Sequence, residues 1–146
     1  MIFVFDIGNT NINAGILESG KVFRNWRLSS NVERTPDEYV LLIHQMMALS
    51  CVNPQDIKSA VLSSVVPPLY DILEKALNSL FSCTIIKVEP GIRLNLEVKY
   101  NRPQDVGADR IVNAVATKAK YGYPAIILDS GTATTFCVIA DDGNYH

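Results

Sequence analysis

Two short runs in this 146-residue chain combine a carboxylate, a glycine and small neutral donors. They are Asp6-Ile7-Gly8-Asn9-Thr10-Asn11 and Asp129-Ser130-Gly131-Thr132-Ala133-Thr134-Thr135. In each, an acidic residue leaves the end of an apolar run, and the glycine lets a ligand come close to the backbone. Asn9, Thr10 and Asn11 add amide and hydroxyl donors. That set suits phosphate oxygens held by neutral groups, with the carboxylate reserved for a metal ion or its water shell. It is not a Walker loop, since no Gly-Lys-Ser/Thr follows, nor a Rossmann turn, since Gly-x-Gly-x-x-Gly is missing. An ordinary hairpin turn would account for either run alone. Two of them, each set between strands, point to a clamp for nucleotide phosphates.

Charge then calls for a cation. If both loops face one triphosphate, Asp6 and Asp129 bring like charges toward an anion, and two unit charges 4 Å apart repel by about 4 kcal/mol at an effective dielectric of 20. A divalent metal between carboxylate and phosphate offsets this. The expectation fails if Asp6 and Asp129 lie on opposite faces of the molecule.

A third run, Tyr100-Asn101-Arg102-Pro103-Gln104-Asp105-Val106-Gly107-Ala108-Asp109-Arg110, sets a carboxylate beside a guanidinium near a helix start. Arg110 can hold an anionic group in a bidentate fork. Asp109 can accept a proton from an attacking hydroxyl. Taken alone, the run is better explained as an exposed Asp–Arg pair that helps to start a helix. The remaining reactive residues read as structural. Cys51, Cys83 and Cys137 are far apart, without CxxC spacing and among apolar neighbours, so all three are expected as small core residues. His44, within a helix, is expected as a polar-face or hydrogen-bonded structural residue and not a catalytic one.

Positioning these runs requires a mixed α/β domain. Residues 2–7 read as a buried central strand, 11–17 as a second and 21–28 as a third, giving an antiparallel opening to the sheet. Thr35, Pro36 and Glu38 spell a capped helix start, followed by an apolar stripe of Tyr39, Leu42, Ile43, Met46 and Leu49. Residues 59–65 form a strand, Pro67 and Pro68 open a helix, and 84–88 form another strand. The stretch 89–101, with Pro90 and Gly91, is irregular. A helix is expected from Pro103 to about Tyr121, ended by Gly122 and Pro124. A buried strand over 125–128, a strand over 135–140 and a turn at Asp141-Asp142-Gly143-Asn144 complete the chain.

The pattern Ile127-Leu128-Asp129-Ser130-Gly131-Thr132 copies the opening Val4-Phe5-Asp6-Ile7-Gly8-Asn9-Thr10, which implies two homologous halves. The expected domains are 1–122, and 123–146 as the start of a second. That second half would need on the order of 100 further residues for its own core, so the chain reads as part of a longer enzyme.

Bulk properties exclude several classes. Hydrophobic residues make up 48%, too many for a disordered chain. A net charge of −2 without a basic stripe argues against nucleic acid as partner. Apolar runs are short of the roughly 20 residues a spanning helix needs, and Asp6 interrupts the first, so neither a membrane partner nor a signal peptide is expected. The chain reads as cytoplasmic.

In order and spacing, Asp6-Ile-Gly-Asn-Thr-Asn11, Ser63-Ser-Val-Val-Pro-Pro68, Tyr100 with Gly107-Ala-Asp-Arg110, and Asp129-Ser-Gly-Thr-Ala-Thr-Thr135 resemble the N-terminal part of type III pantothenate kinases. The resemblance implies a ribonuclease H-like (actin-like ATPase) fold. It implies that Asp6, Ile7, Gly8, Asn9, Thr10, Asn11, Ile12 and Asn13 form the first ATP-phosphate loop, and that Thr132 contacts ATP. Tyr100, Gly107, Ala108, Asp109 and Arg110 would contact pantothenate, with Asp109 as proton acceptor. Asp129 would bind a monovalent cation, K+ or NH4+, beside ATP with Mg2+. The implied reaction phosphorylates pantothenate to 4'-phosphopantothenate, the first step toward coenzyme A, in a homodimer. Two other readings differ in class: a non-catalytic nucleotide-binding module, against which the Gly-Ala-Asp-Arg run speaks, and a DNA-linked regulator, against which the charge speaks.

Overall fold

A computed structural model describes residues 1–89, 92, 94–131 and 133–146. The irregularity expected at Pro90 and Gly91, and the ATP contact expected of Thr132, lie outside the described residues. The chain divides into two compact units, Met1–Lys87 and Val88–His146.

The first unit is built on β1 (Ile2–Ile7), β2 (Asn11–Glu18), β3 (Lys21–Ser29), β4 (Ser59–Ser64) and β5 (Thr84–Val88) in the order β3-β2-β1-β4-β5. β1 pairs antiparallel with β2 and parallel with β4, as expected of a mixed sheet. Alternation along the strands divides the sheet into two faces. Phe3, Phe5 and Ile7 of β1, with Ile12 and Ile16 of β2 and Leu62 of β4, enter the core. Val4 and Asp6 point the other way.

That core is closed by α1 (Pro36–Leu49) and α2 (Pro67–Leu80). The start of α1 is fixed by the expected capping box: Thr35 Oγ1 accepts from the Glu38 N–H at 3.3 Å, and Glu38 Oε2 accepts from the Thr35 N–H at 2.7 Å. The Glu38 carboxyl lies below its usual range because the Thr35 backbone and side chain hydrogen-bond it. Tyr39, Ile43, Met46 and Met47 make the buried stripe. Leu49, expected on it, is 85% exposed. At 3.6 residues per turn it falls roughly 100° from the stripe's centre, and Met47 takes its place. α2 buries Leu69, Leu73, Ala76 and Leu77. Each fully buried aliphatic side chain contributes about 1.5–3 kcal/mol.

In the second unit, α3 (Ala108–Tyr121) packs against the hairpin of β6 (Ala125–Ser130) and β7 (Thr134–Ile139). Ile111, Ala114, Cys137, Ile139 and Tyr145 form its core. The helix expected from Pro103 is broken: Pro103–Asp105 is a 3-10 turn, Val106 is extended, and α3 begins after Gly107. Val106 is buried, and leaving the helical path is what lets it reach the core. Gly122, at φ +84°, ends α3 as expected. α3 packs on β6 and β7, all three within the unit Val88–His146.

β6 is buried on one side only. Ile126 and Leu128, expected inside, are 76% and 60% exposed. They pair across the hairpin with Val138 and Phe136, so four large apolar side chains share one outer face. The turn at 141–144 forms as expected, with the Gly143 N–H donating to Ala140 O at 2.9 Å. Of the cysteines only Cys137 is fully buried; Cys83 is half-buried and Cys51 is exposed, in a tight turn at positive φ. His44 is exposed, as expected.

Candidate active site

Asp6 leaves β1 one residue before its end, and Gly8 makes the turn. The Gly8 N–H donates to Asn11 O at 3.0 Å. A Cβ at Gly8 would stand 3.2 Å from that same oxygen, tight enough that the close backbone approach favours glycine. Ser30 braces the loop: its hydroxyl donates to Gly8 O, and its N–H donates to Thr10 O at 2.9 Å. Asn9, Thr10, Asn11 and Asn13 are exposed, while Ile7 and Ile12 anchor the hairpin in the core. Asp6 is partly buried, and its Oδ2 accepts a long 3.5 Å contact from Asn13 Nδ2. Asn13 Oδ1 in turn accepts from Arg27 Nε at 3.3 Å. Arg27 brings a positive charge to Asn13 and Asp6 and was not singled out in the sequence. Its register opposite Asn13 is the signal that reveals it.

The second loop repeats the local design. Asp129 lies one residue from the end of β6, Gly131 follows the strand, and the Gly131 N–H donates to Ala133 O at 3.1 Å. Asp129 Oδ2 accepts from Asn113 Nδ2 at 2.9 Å. Asn113 stands one turn beyond Asp109 on α3, on the same stripe. Sequence reading missed Asn113, although the i, i+4 spacing from Asp109 was visible.

Gly107 is the N-cap of α3, and its carbonyl accepts from the N–H groups of Arg110 at 3.1 Å and Ile111 at 3.2 Å. Ala108 is buried, and Asp109 sits in the first turn, where a carboxylate is favoured. Asp109 Oδ1 accepts from the Arg110 N–H at 2.8 Å, which fixes the side chain at the helix entrance. Tyr100 is exposed. Arg110 acts on the buried Tyr145 hydroxyl, which donates to Cys137 Sγ at 3.4 Å. Burial first, then the Cys137 thiol, push the Tyr145 hydroxyl up to about 12, and Arg110 offsets part of this.

The donor chemistry fits hard cations. Among the described residues no cluster of three or more His, Cys, Asp or Glu could cage a metal. Asp6 and Asp129 are single carboxylates, each with an amide neighbour, as suits ions that keep water and phosphate in their shells.

A mixed sheet with two Asp-x-Gly hairpins defines a protein of the actin-like ATPase fold. Solved structures agree on that fold. A candidate N-acetylglucosamine kinase from Porphyromonas gingivalis aligns with all of this chain and 46% of its own, at TM-score 0.52 and 16% identity. YeaZ from Pseudomonas aeruginosa aligns with 99% of this chain and 62% of its own, at TM-score 0.51 and 6% identity. The type III pantothenate kinase family matches residues 2–146, and the chain belongs to that family. A type III pantothenate kinase from Bacillus cytotoxicus is 46% identical over 145 residues, covering 99% of this chain and 55% of the relative. The chain thus spans about half the length of that relative. Among the described residues no helix is long and apolar enough to cross a membrane.

Proposed function

We propose that this chain carries the phosphate-binding and acceptor-positioning residues of an ATP-dependent pantothenate kinase. The observation that carries the reading is the coincidence of family membership with the Asp-x-Gly hairpins and the Gly107–Arg110 helix entrance. Asn9, Thr10, Asn11 and Asn13 donate to phosphate oxygens, and Gly8 admits them to the backbone. Asp6 would face the water shell of Mg2+, and Asp129, oriented by Asn113, would hold a monovalent cation, K+ or NH4+. When bound, these ions neutralise phosphate charge that the single carboxylates would otherwise repel.

Tyr100 and Arg110 hold pantothenate, with the Arg110 guanidinium suited to its carboxylate. Asp109 orients the terminal hydroxyl. The hydroxyl oxygen bonds to the γ-phosphorus, the bond to the ADP oxygen breaks, and the hydroxyl proton passes to Asp109. Phosphoryl transfer through a loose transition state needs that proton removed only late, so an aspartate suffices. The reading includes contact of Thr132 with ATP, a homodimer and a cytoplasmic setting.

The test is ADP release by the full-length protein with and without pantothenate, with the product identified by mass. Pantothenate-dependent release and a gain of one phosphate support the assignment. ADP release indifferent to pantothenate sinks it.

A further inference from the structure

The run Ser63-Ser64-Val65-Val66-Pro67-Pro68 is only partly accounted for by folding. Ser64 is spent locally: its Oγ accepts from the Val66 N–H and donates to Val66 O, both at 3.0 Å, at the entrance to α2. Ser63 is different. It is 4% exposed, and its Oγ is the one buried side-chain polar atom without a hydrogen-bond partner among the described residues.

Its position gives that hydroxyl a direction. β4 runs parallel to β1, with Ser63 directly beside Asp6. Alternation along paired strands therefore sends both side chains to the same side of the sheet, away from Phe5, Ile7 and Leu62 in the core. The register continues across the sheet as Ser63, Asp6, Asn13 and Arg27. An unpartnered buried hydroxyl disfavours the folded chain, and alanine would fill the same place without that cost. A serine hydroxyl can both accept from a metal-bound water and donate to an oxygen anion.

We infer that Ser63 is a binding residue for the hydrated divalent cation that enters with nucleotide phosphates beside Asp6. The inference rests on the reading of the Asp6 hairpin as a phosphate loop and extends it to a residue on a different strand.

The test measures ADP affinity by calorimetry, with and without Mg2+, in full-length wild type, Ser63→Ala and Asp6→Asn. Ser63→Ala is expected to weaken Mg2+-dependent ADP binding by about 10-fold and Mg2+-free binding by less than about 2-fold, the scale of one hydrogen bond within a charged group. Its thermal midpoint without ligand should equal or exceed that of wild type, since the orphaned hydroxyl is gone. Wild-type affinity in Ser63→Ala alongside weakened Asp6→Asn overturns the inference and leaves the phosphate-loop reading standing. If neither variant is weakened, both fail. A loss that is equal with and without Mg2+, or that comes with a lowered midpoint, marks Ser63 as structural and overturns the inference too.

Discussion

Asn113, midway along α3, holds the carboxylate of Asp129, at the end of β6, through a 2.9 Å hydrogen bond from its side-chain amide. The bond engages one carboxylate oxygen and aims the group. Asn113→Ala should therefore raise the K+ concentration needed for half-maximal activity by about 3- to 10-fold, the weight of a partly exposed hydrogen bond to a charged group. Thermal stability should change little. A K+ titration of ATP consumption checks this, and an unchanged midpoint would show that Asp129 is held by other means.

Gly8→Ala places a methyl group 3.2 Å from Asn11 O, on the turn that closes the first hairpin. The loop must open by a few tenths of an ångström. Nucleotide affinity should fall by about 10-fold or more, since phosphate ligands depend on the placement of backbone and donors there. Calorimetric titration with Mg-ADP reads it directly.

Thr35→Ala removes one half of the capping box of α1. The expected loss is about 1 kcal/mol, or a midpoint lower by roughly 4–8 °C for a unit of the size of Met1–Lys87. Nucleotide affinity should stay within about 2-fold, because the cap braces the helix and touches no proposed ligand. Chemical denaturation and calorimetry measure the two separately.

Lys99 and Asp142 meet at 2.7 Å beside the final turn. The Lys99 hydrogen bond, then those from Asn144, hold the Asp142 carboxyl well below the usual range, and the same contact raises Lys99. A carboxyl depressed on folding stabilises above its unfolded value, near 3.9, and that contribution is lost as pH falls below it. A raised lysine stabilises below its unfolded value, near 10.4, and loses that contribution as pH rises beyond it. The pair is thus fully effective between these limits. Carboxyl NMR should show Asp142 titrating later than other aspartates on acidification, and Lys99→Met should return it toward the ordinary range. An unmoved Asp142 in that variant would refute the assignment.

Local signals were legible where one residue type settles the conformation. Thr35, Pro36 and Glu38 gave the start of α1, Gly122 gave the end of α3, and the apolar runs around Asp6 and Asp129 gave strands. What escaped reading depends on partners distant in sequence. Leu49 and Met47 exchange roles because helix rotation against the sheet decides which is covered. Val106 breaks a helix that its neighbours would start, because a core formed with Ile111 and Tyr145 takes it in. Asn113 joins Asp129 only through tertiary packing, and Arg27 joins Asn13 only through strand register. The likeness of the loops at Asp6 and Asp129 was visible in residue order. Arg110's approach to the Tyr145 hydroxyl was not.

The outward row of Ile126, Leu128, Phe136 and Val138 bears on chemistry as well as on packing. Asp129 rides on the same short ribbon, facing the opposite way. Two strands by themselves are marginal, and α3 braces only the inner face of this pair. A surface that covered those greasy side chains would add a second brace to the mount on which this carboxylate sits, so drying one side would steady the other.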